Sequence, residues 1–272
     1  FRIHSPRVAS PLNNLAAMAF PEPNNFQEWV DTYKSELKPP VGNKLMHGAG
    51  QTKVMVVGGP NTRKDYHIEE GEEFFYMLKG DMQLNIIERG VHKHIPIREG
   101  EMFMLPARIP HSPQRFPDTI GLVLERERLS GELDGLRWYV GETDEVLFED
   151  WFHCTDLGTQ LKPIIEAFFA SEEYRTQKPT RTFDSPGVDV DRETTVADPV
   201  NFKAWCASHA GTNAVLFDGE YRVVVMQAPE TWAHYQFHEG EVFLWHHAGE
   251  AVVHMRHEGS EATRTMKAGD ML

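Results

Sequence analysis

Short apolar and alternating runs follow one another along the first half of the chain. Between residues 45 and 129 these runs are KVMVVGG, FFYMLKG, MQLNIIE, KHIPI, EMFMLPA and IGLVLERERL, separated by Gly, Pro and charged residues. A period of two places every second side chain on the same face of a strand. Short runs between turn signals are typical of an antiparallel sandwich or barrel. The sequence therefore predicts a mostly β fold.

Three other segments are interpreted as helices. FQEWVDTYKSEL (26–37) has apolar residues three and four positions apart and is followed by two prolines, which end a helix. TDEVLFEDWF (143–152) and LGTQLKPIIEAFFASEEY (157–174) are also predicted to be helical, the second with one apolar face. We expect these helices to pack outside the β-unit.

The chain contains an internal repeat. Residues 66–103 align without a gap with residues 235–272, as YHIEEGEEFFYMLKGDM and YQFHEGEVFLWHHAGEA illustrate. Hairpin turns need positive φ angles, which glycine adopts without steric cost. The repeat therefore predicts two β-units in tandem. The matched turn glycines include Gly80 with Gly249, Gly90 with Gly259, and Gly100 with Gly269.

Changes in composition suggest the domain boundaries. Residues 1–25 are rich in Pro and Asn and are predicted to be a disordered leader, with a targeting remnant as the alternative. Residues 26–178 form the predicted first domain, 179–195 a linker and 196–272 a second β-domain. Because the chain stops within a predicted strand, we expect this second domain to be incomplete.

Charge and cysteine content narrow the class of function. The formal net charge of −14 lacks the basic footprint that nucleic acid or anionic lipid requires. No apolar run reaches the roughly 18 residues that cross a bilayer. Cys154 and Cys206 lie far apart and form no CxxC pair. We expect neither a nucleic-acid nor a membrane partner, and a reducing, cytoplasmic compartment.

Ionisable side chains cluster around one predicted turn. NTRKDYHIEEGEEFFY runs along a strand, turns, and enters the next strand. Alternation along the first strand places four side chains on one face, and a fifth returns just past the turn. Two of these residues are glutamates, so both are candidates for a metal-binding carboxylate. The four are Arg63, Asp65, His67 and Glu69, and the fifth is Glu73.

Two later segments add residues of the same kinds. In REGEMFMLPARIPHSPQR, His111 and Arg115 share a face, and in IGLVLERERL the side chain of Glu125 points with Val123, opposite the leucines. If that side is the interior of a barrel, Glu125 is a buried carboxylate. Two imidazoles and one carboxylate on converging strands are typical of the facial triad of non-haem Fe(II), which leaves positions open for substrate and dioxygen.

These motifs resemble the cupin superfamily, although Glu69 stands where its first motif has a second histidine. Arg108 and Arg115 also depart from its second motif. The runs GGPNTRKDYHIEEGEE, LPARIPHSPQRF, GLVLERERL and CTDLGTQLKPII are similar to the two-cupin 3-hydroxyanthranilate 3,4-dioxygenase family. The resemblance is strong over residues 26–178 and loose over 196–272.

The resemblance implies a tandem cupin (bicupin) fold with two β-barrels, the second truncated, and a few flanking helices. It implies an Fe(2+)-dependent dioxygenase that converts 3-hydroxyanthranilate and O2 to 2-amino-3-carboxymuconate semialdehyde, in the kynurenine pathway towards quinolinate and NAD. A monomer is expected, because the second unit would occupy the place of a dimer partner. The implied residues are the iron ligands His67, Glu73 and His111, Arg63 near the dioxygen and substrate site, Arg115 at the substrate carboxylate, Glu125 at the polar ring substituents, and Asn43 in the pocket.

Other interpretations stay open. Arg63 and Arg115 could serve only as structural ion pairs with Asp65 or Glu125. A metal-dependent cupin isomerase or decarboxylase should lack paired arginines near the metal, and a non-catalytic ligand-binding cupin should have lost the triad from both copies.

Two further sets of positions are not predicted to bind a metal. His92 and His94 share a face of a polar hairpin without a supporting carboxylate, so we interpret both as solvated. In the second copy, Gln236 aligns with His67. A valine likewise aligns with Glu73, so the second copy is predicted to be a metal-free structural half.

Overall fold

β-Strands are the predominant regular secondary structure of the described chain. The structure is a computed structural model that describes residues 2–4, 20–37, 42–61, 63–182, 188–227, 240–257 and 259–272. The helices are α1 (Phe26–Tyr33), α2 (Leu157–Ala170), α3 (Glu172–Thr176) and α4 (Phe202–Ser208). The strands are β1 (Arg2–His4), β2 (Asn24–Asn25), β3 (Asn43–His47), β4 (Thr52–Gly58), β5 (Tyr66–Ile68), β6 (Glu73–Lys79), β7 (Met82–Glu88), β8 (Val91–Ile97), β9 (Glu101–Leu105), β10 (His111–Arg115), β11 (Ile120–Arg126), β12 (Asp134–Tyr139), β13 (Val146–Phe152), β14 (Val200–Asn201), β15 (Asn213–Asp218), β16 (Arg222–Met226), β17 (Val242–Leu244), β18 (Glu250–His257), β19 (Ser260–Lys267) and β20 (Asp270–Met271). The predicted mostly β class is confirmed.

The chain divides into two compact units. The larger unit comprises residues 36–205, and the smaller unit comprises residues 1–35 and 206–272. Two six-stranded antiparallel sheets build the larger unit, in the orders β13-β12-β5-β10-β7-β8 and β14-β9-β6-β11-β4-β3. The domain boundaries from the sequence, the tandem barrels and the truncation of the second barrel stay predictions.

The core of the larger unit lies between its two sheets. Leu84 and Ile86 of one sheet and Phe75 and Phe103 of the other belong to a single cluster of buried side chains. They occupy alternate positions of their strands, as the period of two predicts. Burying each such side chain contributes roughly 1.5–3 kcal/mol to folding. Val123 of this core, with Met55 and Val57 packed against it, also lines a cavity that contains polar side chains.

Residues 143–152 are not helical, so this prediction was wrong. Strand β13 covers most of the segment and pairs with β12 along its length, with Glu149 opposite Arg137. Nη2 of Arg137 lies 2.6 Å from Oε2 of Glu149, and both side chains are buried. A short apolar run fits a strand and a buried helix equally well. The backbone and ion-pair partners on β12 decide in favour of the strand.

The other predicted helices are confirmed, with shorter bounds. Helix α1 is capped by Asn25, whose side chain accepts hydrogen bonds from the backbone N–H groups of the first turn. The segment 157–174 forms α2 and α3, which are separated at Ser171, the cap of α3. Helix α2 packs against β12 and β13, where the rings of Trp138 and Phe168 stack with centroids 4.2 Å apart. Leu136 of this cluster is the register partner of His67, so α2 packs on the face of the sheet that carries His67, and the expectation that it lies outside the β-unit is not confirmed.

Matching hairpins occur in the two units. Met82 pairs with Ile97 in β7–β8, and the aligned residues Ala251 and Met266 pair in β18–β19. Three of the four aligned glycine pairs have positive φ angles in both copies, as the repeat predicts; in the fourth pair Gly240 has a positive φ angle and Gly71 does not. Residues 235–239 of the second copy, which include Gln236, lie outside the described residues.

The predicted leader and linker are described only in part. Within residues 1–25, strands β1 and β2 are described together with residues 20–23. Within 179–195, residues 183–187 lie outside the description, and the rest contains no helix or strand. Val188 in this segment is buried. No helix in the described ranges is long and apolar enough to cross a membrane.

Candidate active site

Two neighbouring strands and the facing sheet bring together three potential metal ligands. His67 on β5 is the backbone partner of His111 on β10, and their imidazole centroids are 5.2 Å apart. Glu73 begins β6 in the other sheet. The ligand atoms of the three buried side chains all lie within 4.8 Å of one another. The fold thus assembles two nitrogens and one carboxylate from separate parts of the sequence.

Each imidazole has one ring nitrogen held by the protein and one left for the centre. Nδ1 of His111 donates to the carbonyl oxygen of Ile109 at 3.0 Å, which leaves the lone pair on Nε2. Nε2 of His67 donates to Oδ2 of Asp134 at 2.7 Å, which leaves the lone pair on Nδ1. Burial lowers the pKa of His67 despite this carboxylate, so its ring is neutral at neutral pH. Neutral imidazoles with one anchored nitrogen are typical of metal ligands.

The contact between Glu73 and His111 fits a cation at this point. Oε2 of Glu73 lies 2.8 Å from Nε2 of His111, yet this buried oxygen has no partner in hydrogen-bonding geometry among the described residues. Burial opposes charge on both groups, but Glu73 raises the pKa of His111, and His111 lowers the pKa of Glu73. The charged forms of Glu73 and His111 therefore stabilise each other. A divalent metal with two nitrogen ligands and one oxygen ligand satisfies this arrangement.

A single cavity of the larger unit is lined by all of the residues that the family resemblance implies as site residues, but not by the alternative carboxylate Glu69. Its apolar lining includes Met55, Val57, Val123 and Leu161, so the polar groups face a partly apolar space. Such a combination is typical of a small-molecule site. The predicted residues at the cavity wall are Asn43, Arg63, His67, Glu73, His111, Arg115 and Glu125.

The two arginines of the cavity differ in their partners. Arg63 forms an ion pair with Asp65, with Nε 3.1 Å from Oδ1 and 3.0 Å from Oδ2. Arg115 is only 5% exposed and has no ion-pair partner among the described residues; its Nη1 contacts Sδ of Met77 at 3.8 Å. Burial lowers the pKa of Arg115 to about 10, which keeps it protonated at neutral pH. Arg115 is therefore a buried cation that faces the cavity without an anion.

Comparison with known proteins identifies the family. Residues 18–169, more than half of the chain, match the family model described as 3-hydroxyanthranilic acid dioxygenase. The chain belongs to this dioxygenase family. The mouse 3-hydroxyanthranilate 3,4-dioxygenase is 51% identical over 84% of this chain and 82% of its own length. The human protein of the same name is 51% identical over 84% and 81%, and that of Nematostella vectensis 48% over 91% and 89%.

The family relationship makes this chain an enzyme whose substrates are dioxygen and a small organic molecule. Among solved structures, a variant of oxalate decarboxylase from Bacillus subtilis matches 93% of this chain and 71% of its own chain. That match has a TM-score of 0.42 and 14% sequence identity.

Arg128 and Asp134 contact residues of the candidate site, and sequence reasoning missed both of them. Nη2 of Arg128 lies 2.9 Å from Oε2 of Glu125, and Nη1 lies 2.8 Å from Oε2 of Glu69. Arg128 stands three residues after Glu125 in ERERL, a signal that the sequence offered. Asp134 offered none, because it meets His67 only through the pairing of β12 with β5.

The three buried glutamates Glu69, Glu73 and Glu125 have different charged partners. Glu69, Glu73 and Glu125 also lie within 4.8 Å of one another, but Arg128 already supplies positive charge to Glu69 and Glu125. This leaves Glu73 as the carboxylate directed at the histidines. Burial raises the pKa of Glu125 to about 7 although Arg128 opposes the shift. The alternative in which Glu125 neutralises Arg115 does not occur, because Glu125 pairs with Arg128.

The prediction for the hairpin histidines is half correct. His94 is exposed, as expected, and its Nδ1 lies 2.7 Å from Oδ1 of Asn85. The side chain of His92 is only 9% exposed, so its interpretation as solvated was wrong. Its ring lies against Tyr66 and Tyr139, and Nε2 donates to a backbone carbonyl. These partners come from distant strands, which a local polar pattern does not indicate.

Proposed function

We propose that this chain catalyses the oxidative ring opening of 3-hydroxyanthranilate, the substrate in the names of its relatives, with Fe(II) as its resident metal. The observation that carries the proposal is the unpaired, buried Arg115 in the same cavity as the group of His67, Glu73 and His111. An aminophenol that carries an ortho carboxylate needs both a metal centre and a cation. Identity of 48–51% with the named relatives over most of the chain supports the same substrate.

The metal is assigned to the nitrogen and oxygen ligands already described. His67, Glu73 and His111 would hold it, and no thiolate is required. The chemistry that Fe(II) would supply there is Lewis-acid activation of the aromatic substrate and electron transfer from the ring to dioxygen. Both oxygen atoms of O2 end in the product, 2-amino-3-carboxymuconate semialdehyde, so no further oxidant is needed.

The remaining cavity residues bind and orient the substrate. The planar guanidinium of Arg115 accepts the substrate carboxylate in a two-point contact, which a lysine cannot reproduce. Arg63, held by Asp65, presents positive charge near the reacting groups. Glu125, with its pKa of about 7, takes the proton from the ring hydroxyl. Asn43 is assigned to the wall of the pocket.

We extend the proposal to the whole chain. A tandem cupin fold accounts for the matching hairpins of the two units, with 26–178 as the catalytic domain and 196–272 as a metal-free structural domain. A monomer follows if the second domain takes the place of a partner subunit. The free thiols Cys154 and Cys206 support a reducing compartment, the cytoplasm.

The test compares two substrates that differ only in the carboxylate. Arg115→Ala should lower kcat/KM for 3-hydroxyanthranilate roughly ten- to hundredfold more than for 2-aminophenol, because a hydrogen bond to a charged group is worth about 1.5–3 kcal/mol. Oxygen uptake by the Fe(II)-loaded enzyme measures both values. Arg126→Ala is the control, because Arg126 is also buried but pairs with Glu132 outside the cavity lining.

Equal losses for both substrates would remove Arg115 from the role of carboxylate receptor. Absence of oxygen uptake with 3-hydroxyanthranilate after Fe(II) loading of the unaltered protein would contradict the proposed reaction itself.

A further inference from the structure

A buried arginine, Arg128, contacts both Asp134, the hydrogen-bond partner of His67, and the proposed base Glu125. The side chain of Arg128 is 5% exposed, and its guanidinium contacts three carboxylates from three different segments. Glu69 follows β5, Glu125 belongs to β11, and Asp134 begins β12. A rigid fork of donors suits several acceptors at once, whereas an ammonium is a single point of charge. Arg128 therefore fixes these carboxylates relative to one another.

Asp134 is held more tightly than the other two carboxylates. Nε of Arg128 donates to Oδ1 at 2.8 Å, and Nη2 donates to Oδ2 at 2.7 Å, which makes a bidentate pair. The same Oδ2 accepts a hydrogen bond from Nε2 of His67 at 2.7 Å. Asp134 is only 1% exposed.

We propose that Asp134 is a positioning residue that orients His67 for metal binding, and that Arg128 holds Asp134 in place. This inference rests on the proposed role of His67 as a metal ligand. An anionic acceptor at Nε2 keeps the proton on that nitrogen and directs the lone pair of Nδ1 into the cavity. It also raises the basicity of the ligating nitrogen. Because Arg128 also holds Glu125, one guanidinium aligns the metal ligand with the group proposed to accept the substrate proton.

The experiment measures the affinity for Fe(II) alone, under anaerobic conditions, by competition with a chromophoric chelator. Asp134→Ala should raise the Kd roughly 10–100-fold, the usual effect of losing such a supporting group. Asp134→Asn should have a smaller effect, because the amide oxygen still accepts from His67. Arg128→Lys should also weaken binding, since one ammonium cannot make the bidentate contact.

Glu149→Gln is the matched control. Glu149 forms a buried ion pair with Arg137 next to the strand that carries Asp134, but neither residue lines the cavity. This variant should lose stability and keep the Kd for Fe(II) unchanged. If Asp134→Ala does not fold, Asp134→Asn and Arg128→Lys provide the comparison.

Unchanged Fe(II) affinity in the Asp134 variants, or equal weakening by Glu149→Gln, would overturn the positioning role. The same measurement also tests the premise that His67 is a metal ligand. If the unaltered protein binds no Fe(II), or if His67→Ala binds it as tightly as the unaltered protein, the proposed metal site fails, and the positioning role fails with it. The two failures are therefore distinguishable in the same measurement.

Discussion

The hairpins β7–β8 and β18–β19 have the same backbone and different surroundings. Their pairing registers coincide, and their turn glycines share positive φ angles. Ile86 in β7 is completely buried, whereas the aligned Met255 of β18 is partly exposed. Turn glycines and register thus specify a hairpin without specifying the core around it.

The same contrast holds for chemistry. Glu73 begins β6 and faces two histidines, while the aligned Val242 begins β17 and has no group that could bind a metal. The backbone does not require either side chain at this position. A repeated β-unit can therefore keep its hairpins while only one copy carries the candidate metal centre.

The largest effect is expected where the two copies differ in chemistry. Glu73→Ala should abolish Fe(II) binding and ring cleavage, because among the described residues no other carboxylate groups with both histidines. Val242→Ala, at the aligned position, should leave bound iron unchanged. Metal analysis after anaerobic loading and gel filtration measures this. Glu69→Gln should also retain iron, since Glu69 pairs with Arg128. Iron retained by the Glu73 variant would contradict the ligand assignment.

A smaller effect is expected from the difference in burial. Ile86→Ala should reduce the free energy of unfolding by about 2–5 kcal/mol, because it leaves a cavity in a close-packed core. Met255→Ala, at the aligned and partly exposed position of β18, should cost clearly less. Urea unfolding followed by circular dichroism compares the two variants. Similar costs would show that the second hairpin is as tightly packed as the first.

The smallest effect concerns the feature that both copies share. Gly80 and Gly249 have φ angles of 67° and 80°, so alanine at either position should cost about 1–2 kcal/mol. An added Cβ at Gly80 would lie 2.9 Å from Cγ2 of Thr119, whereas nothing lies within 4 Å at Gly249. Gly80→Ala should therefore have the greater cost. Thermal unfolding measures the difference, and a larger cost at Gly249 would contradict this steric argument.

Local signals predicted much of the fold and of the candidate site. The six apolar and alternating runs became strands β4, β6, β7, β8, β9 and β11, and the apolar face of 157–174 became α2. The residues at the cavity wall were found because strand alternation and a family resemblance point to the same positions. Arg115 was identified in this way, but its lack of an anionic partner was visible only in the structure.

The failures all involve partners from distant segments. Residues 143–152 form a strand because β12 supplies backbone and ion-pair partners. His92 is buried because aromatic rings from other strands cover it. In both cases the partner residues lie outside the local pattern. A short window of sequence therefore cannot distinguish a strand from a helix, or a buried histidine from an exposed one.

The sequence by itself determined the strand pattern, the positive-φ turns and the chemical types available to the cavity, because these depend on neighbours along the chain. Only the tertiary structure decided which carboxylate faces the histidines and which pairs with Arg128. The contact between His67 and Asp134 joins residues 67 positions apart. Such contacts depend on which strands pair, and strand pairing minimises the free energy of the whole sheet rather than of any one segment.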